Sequence, residues 1–237
     1  MRAQIKCKAC KLLLLGRVPY TEAWQLQQEI AAAHRSGNGK DTLLLVEHLP
    51  VLTLGRAGSK SNIKASDEVL VTAGLEVIEA DRGGDVTYHG PGQLVGYPIL
   101  DLRGYQQDLH RYTEMLEEVI IRTLDQYGIK GFREPGLTGV WTGKGKIAAI
   151  GIGARGWVTM HGFALNVHPD MNYFGLINPC GITNRPVVSM QDLGVEVTLA
   201  EVSKKLVAQF ADIFGVDFSL IKRDCVHAGP GSRYGGQ

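Results

Sequence analysis

Residues 139–167 read GVWTGKGKIAAIGIGARGWVTMHGFALNV, and the fold turns on how this stretch is taken. Gly151–Gly156, GIGARG, matches the G-x-G-x-x-G pattern of a dinucleotide-binding turn and comes after a strand-like run. Such a turn must open a helix whose first N–H groups face the pyrophosphate. The next residues, WVTMHGFAL, are rich in β-formers and keep a glycine among them. The stretch therefore predicts antiparallel hairpins, with glycines at the turns and where backbones approach closely.

Working outward, the hydrophobic period changes several times. Ala23, Leu26, Ile30 and Ala33 recur at helical spacing within Thr21–His34, and SGNG ends the pattern. TLLLVEH, VLTLG and LEVIEA read as strands, with a short helix capped by Ser66 between the last two. DRGGDVTYHGPGQ is dense in glycine and fits neither period, which predicts a long working loop leading into the strand LVGYPILDL. A helix is expected from Leu109 to Tyr127, closed by Gly128. A second begins at the Thr198/Glu201 capping box and stops before Gly215. Helices interrupt groups of strands without regular alternation, so the fold class is α+β with a mixed or antiparallel sheet.

A chain of 237 residues, 44% of them hydrophobic, supports one sizeable core. Lys and Arg number 25 against 24 Asp and Glu, which leaves no general basic field for nucleic acid. No apolar run approaches the ~20 residues of a membrane span, and KLLLLGRVPY is too short for a secretion signal, so the expected location is cytoplasmic. The four cysteines, Cys7, Cys10, Cys180 and Cys225, are expected as free thiols, and the lone Cys7/Cys10 pair has no second pair at zinc spacing.

Three stretches bear on chemistry. Arg82, Tyr88 and His89 sit on a glycine-rich backbone able to pass close to a ligand, which favours a binding wall over a surface turn. His161, in MHGFALN, fits a core histidine and a supporting site residue equally well. Cys180 lies in NPCGI, outside any periodic apolar run, where Pro179 restricts φ and Gly181 leaves the backbone open. An active thiol needs a nearby base or cation. Lys146, His89 and His161 are candidates, and spacing alone selects none of them.

Three blocks, RGGDVTYHGPGQLVGYPILDL from Arg82, GKIAAIGIGARGWVTMHGFALNV from Gly145 and NPCGI from Asn178, resemble the octanoyltransferases of protein lipoylation in order and spacing. The resemblance covers about residues 12–220. It implies the fold of biotin and lipoate protein ligases, a larger mixed sheet beside a smaller one with helices around them. Its extent leaves an extension at 1–11 ahead of a catalytic domain at 12–222, and the glycine-rich composition beyond predicts a disordered tail at 223–237. Cys180 would be the acyl-thioester nucleophile and Lys146 its acid/base partner. The acyl-binding wall would be Arg82, Gly83, Gly84, Asp85, Val86, Thr87, Tyr88 and His89, completed by Ala149, Ile150, Gly151, Gly162, Phe163 and Ala164. The donor would be octanoyl-acyl carrier protein. The acceptors would be lipoyl domains of 2-oxoacid dehydrogenase E2 subunits and the glycine cleavage H protein, with no metal and no cofactor. Two rivals differ in chemistry: an ATP-dependent lipoate or biotin ligase, and a module that binds acylated partners without turning them over.

Overall fold

The computed structural model describes residues 8–178 and 185–222. Eight strands form a mixed sheet in the order β11-β1-β2-β6-β10-β9-β8-β7, and three form a smaller sheet in the order β4-β3-β5. The large sheet contains β1 (Lys8–Val18), β2 (Thr42–His48), β6 (Gln93–Ile99), β7 (Phe132–Glu134), β8 (Leu137–Thr142), β9 (Gly145–Arg155), β10 (Val158–Asn166) and β11 (Val216–Lys222). The small sheet contains β3 (Val51–Leu54), β4 (Glu76–Glu79) and β5 (Val86–His89). Pairing is parallel for β1 with β2 and β11 and for β3 with β4, and antiparallel elsewhere.

The β9/β10 hairpin decides the fold as its sequence suggests. Arg155 pairs with Val158, leaving a two-residue turn at Gly156 (φ 60°) and Trp157 (φ 66°). Positive φ at both central positions is the geometry whose twist matches that of paired strands. The turn opens a strand and no helix, so GIGARG is part of a hairpin.

α3 (Leu109–Asp125) and α4 (Leu199–Phe214) cover one face of the large sheet, where Leu116, Ile120, Leu206 and Phe210 are fully buried with Leu43, Ile147 and Leu165. α4 has both halves of its Thr198/Glu201 capping box, and Gly215 ends it in the left-handed conformation. α1 (Tyr20–Arg35) covers the opposite face. Its buried residues are Tyr20, Ala23, Gln27, Ala31 and His34, a stripe rotated from the apolar one predicted, because this face meets polar groups of the sheet. α2 (Asp67–Thr72), capped by Ser66, packs on the small sheet.

One expectation needs correction. Val86–His89, read as part of a loop, is the four-residue strand β5. One alternation hides it: Val86 and Tyr88 enter the small core, while Thr87 and His89 lie on the other face. The strand β1 begins at Lys8 and buries Cys10 between β2 and β11. Burial and the nearby Asp41 carboxylate push the Cys10 thiol up to about 12, so it is an inert core residue. Cys7, Cys225 and the tail 223–237 lie outside the described residues. Among the described residues no helix is long and apolar enough to cross a membrane.

Candidate active site

A cavity of about 1060 Å³ opens between the two sheets. β9 and β10 form its floor with Ala149, Ile150, Gly151, Gly162, Phe163 and Ala164. The stretch into β5 forms one wall with Arg82, Gly83, Gly84, Asp85, Val86, Thr87 and His89. The start of α3 and the β7/β8 hairpin close the other side, and Lys146 and His161 also line the space. Tyr88 does not. By strand alternation it faces the small core, stacked on Tyr173 at 4.7 Å with its hydroxyl lacking a hydrogen-bond partner among the described residues. Cys180 lies outside the described residues, as do its neighbours Pro179 and Gly181.

The wall is fastened by backbone contact and one buried cation. Gly83 N donates to Ile152 O at 2.8 Å, and a Cβ on Gly151 would stand 2.7 Å from Gly83 O. The close approach that Gly151 permits is thus between wall and floor. A Cβ on Gly162 would likewise collide with Gly96 O of the paired strand β6. Arg82 is buried, and its guanidinium donates to Thr53 Oγ1 and Thr53 O on β3 and to Gly83 O. It braces the wall and adds positive charge to it. Asp85 accepts from Ser59 N, Val86 N and Asn62 Nδ2, which ties the wall to the loop at 59–62.

Lys146 is 7% exposed, near the start of β9. Its stem crosses Gly139 on β8, where a Cβ would lie 2.7 Å from Lys146 Cε, and Nζ stands 5.4 Å from the centre of the Trp141 ring. Glu117 of α3 fixes this crossing: its buried carboxylate accepts from Gly139 N at 2.9 Å and from Arg133 Nε at 3.1 Å. Lys146 N donates to Pro186 O, and Val188 N to Lys146 O, both at 2.9 Å. Gly145 makes room, because a side chain there would strike Pro186 O.

The polar end of the cavity is lined by His89, His161, Tyr20 and Tyr97, with His48 fully buried behind Tyr97. His48 Nδ1 is 3.0 Å from Val18 O, and its Nε2 is 2.7 Å from the Tyr97 hydroxyl. His89 Nδ1 is 2.7 Å from Gln93 Oε1. His161 Nε2 is 2.6 Å from Asp81 Oδ1, and its Nδ1 is 3.5 Å from the Tyr20 hydroxyl. Burial disfavours the charged rings, holding His48 down at about 4 and His89 at about 3. It lowers His161 as well, against the opposing pull of Asp81. Tyr20, His48, Tyr97, Glu117 and Asn62 were not legible as site residues. Polar residues inside apolar runs, such as His48 after TLLLVE, were the available signal. Among the described residues no group of three His, Cys, Asp or Glu side chains is placed to hold a metal ion.

Known proteins share both the sequence and the architecture. Residues 19–211 match the family described as the lipoyl protein ligase A/B catalytic domain. An octanoyltransferase from Solibacter usitatus is 52% identical over 212 residues, spanning 90% of this chain and 95% of that protein. The structure of lipoate-protein ligase A bound with ATP superposes with a TM-score of 0.73 at 19% identity, over 90% of this chain and 89% of that one. Biotin protein ligase from Aquifex aeolicus, in complex with biotin and ATP, gives a TM-score of 0.54 at 15% identity, over 86% and 70%. At such identities the two structures establish the α+β fold alone, whereas the sequence match is close and nearly full-length. The chain belongs to the lipoyl protein ligase A/B catalytic family, and within it to the octanoyltransferases, which are acyltransferases.

Proposed function

We propose that this enzyme moves an octanoyl group from octanoyl-acyl carrier protein to a lysine of lipoyl domains, those of 2-oxoacid dehydrogenase E2 subunits and the glycine cleavage H protein, through a thioester on Cys180. In the first half-reaction the Cys180 thiolate attacks the donor thioester, the C–S bond to the carrier breaks, and the Lys146 ammonium protonates the departing thiolate. In the second, the neutral amine of the acceptor attacks the acyl-cysteine and gives its proton to the now neutral Lys146. The amide leaves, and the thiolate–ammonium pair is restored. The donor is already activated, so the cycle calls for neither ATP nor a metal.

One observation carries this reading: Lys146 lines the cavity, and both of its backbone polar groups pair with the segment that comes after Cys180. Pro186 is six positions after Cys180 in the sequence. The fold shared with ATP-bound ligases makes the omission of ATP the informative condition. Octanoyl-acyl carrier protein and a lipoyl domain, mixed with the enzyme without ATP, should yield octanoylated lipoyl domain. Donor alone should load one octanoyl group, labile to hydroxylamine, onto Cys180, and Cys180→Ser should not accumulate that thioester. Lys146→Met keeps a stem across Gly139 without the ammonium and should lower turnover ~10²- to 10⁴-fold. No transfer without ATP, or loading on another cysteine, defeats the proposal.

A further inference from the structure

The hydrogens at the polar end of the cavity have directions set by partners behind them. Val18 O can only accept, so His48 Nδ1 carries the hydrogen, and Nε2 of the neutral ring accepts from the Tyr97 hydroxyl. Gln93 Nε2 donates to Tyr88 O and Asn166 Oδ1, while Asn166 Nδ2 donates to Val188 O. These contacts orient both amides, so Gln93 Oε1 accepts from His89 Nδ1–H and leaves a lone pair on His89 Nε2. The Asp81 carboxylate accepts from His161 Nε2, so His161 Nδ1 accepts from the Tyr20 hydroxyl.

His161 reaches Tyr20 only through an uncommon backbone state. Its φ is 58°, in the left-handed region, and Gln27 Oε1 holds its N–H at 2.8 Å. This turns the ring toward α1 against the alternation of β10. Strain of this kind in a non-glycine residue persists where surrounding contacts over-determine it, and it gathers at functional sites. The rings are close together: Tyr20 stacks on His89 at 5.9 Å, and His48 lies 5.3 Å from Tyr20 and 5.8 Å from Tyr97.

We propose that Tyr20 Oη, Tyr97 Oη and His89 Nε2, each with its own or its ring's hydrogen already directed away, form a subsite that accepts hydrogen bonds from an uncharged N–H group. Tyr20, Tyr97 and His89 are all buried, and an apolar, desolvated surrounding disfavours a charged group, which selects a neutral amine or amide over an ammonium. The inference rests on the acyl-transfer reading for its two sources of such a group. One is the neutral amine of the acceptor lysine, and the other is an amide of the arm that carries the donor thioester.

A binding measurement independent of turnover tests it. Calorimetry with N-octylacetamide and its ester isostere, octyl acetate, should show the amide bound about three- to tenfold more tightly, the worth of one hydrogen bond whose acceptor would otherwise be unpaired. Tyr20→Phe, which keeps the ring and its stack, should remove that preference. Asp81→Asn, at a side chain 58% exposed and so safe for folding, should reduce it by loosening the direction of the His161 ring. Equal binding of amide and ester to the wild type overturns the proposal, as does a preference unchanged in both Tyr20→Phe and Tyr97→Phe. Single-turnover kinetics then assign the source. A larger fall in Tyr20→Phe for discharge to a lipoyl domain than for loading names the acceptor amine, and the reverse names the donor amide. A wild type that prefers the amide yet transfers no octanoyl group would leave the subsite standing and refute the proposed reaction.

Discussion

Removing the Glu117 carboxylate should uncouple α3 from the strand that seats Lys146. The carboxylate is buried, with one oxygen accepting from Gly139 N and the other from Arg133 Nε. Glu117→Ala strips the acceptor from a buried N–H, which costs about 1–3 kcal/mol. Loss of the ion pair to the part-exposed Arg133 adds about 0–1 kcal/mol. An overall loss of about 1–4 kcal/mol lowers the melting temperature of a chain this size by about 2–16 °C. Glu117→Gln keeps an oxygen for Gly139 N and should lose under about 1 kcal/mol. Urea and thermal unfolding of the three proteins measure the stability term. Octanoyl transfer, measured well below the melting transition, measures the rest: because Gly139 is the position the Lys146 stem crosses, Glu117→Ala should lose turnover beyond its unfolded fraction. A Glu117→Ala enzyme as stable as wild type would refute the buried-donor argument. One that is destabilised but turns over normally would refute the connection to Lys146.

The buried polar groups set two other outcomes. Tyr88→Phe deletes a buried hydroxyl with no partner among the described residues, so it should raise stability by about 1 kcal/mol and leave transfer unchanged; a fall in transfer would return Tyr88 to the acyl wall. Stability should also decline in acid. His48 and His89 are held at about 4 and about 3, against 6.5 for the ordinary imidazole. The unfolded chain therefore binds more protons as pH drops below 6.5, and the contribution present above 6.5 is lost progressively toward pH 3. Unfolding free energies that stay flat from neutral pH into this window would contradict burial of the two rings.

The parts of the fold legible in sequence were those where a single period dominates. α3 and α4 show their apolar stripes over several turns with caps at the ends, and β10 alternates between the two cores. Legibility fell where tertiary contact decides. β5 has too few residues to display a period. On α1, Gln27 belongs to the buried face because His161 N needs its oxygen, a requirement set by a residue far along the chain. The glycines of GIGARG were readable as glycines that must exist. Their reasons differ and come from the assembled sheets: wall contact at Gly151 and turn geometry at Gly156. The resemblance in three motif blocks brought the wall and floor residues together. It did not separate Tyr88 from its neighbours, because that separation is a property of strand alternation.

The site is a product of both sheets, and the flanks of the proposed nucleophile show why. On one side, Asn178 N donates to Asn62 O at 2.7 Å, Lys64 N donates to Leu176 O at 2.8 Å, and Asn62 is held in turn by Asp85 of the wall. On the other side, Pro186 and Val188 pair with Lys146 on the large sheet. Asn178 is thus tied to the small-sheet wall, and Pro186 and Val188 to the strand of the proposed acid/base partner. Arg82 joins the same wall to β3, so one polar framework runs from Thr53 through the wall to Asn178. In the proposed reaction a displacement of the small sheet against the large one would separate Cys180 from Lys146 without altering either residue. Asp85, expected as an acyl-binding residue, lines the cavity and also accepts from Asn62 Nδ2. Asp85→Asn should consequently slow loading of Cys180 for donors of every chain length alike, whereas a direct acyl contact would make the loss depend on chain length.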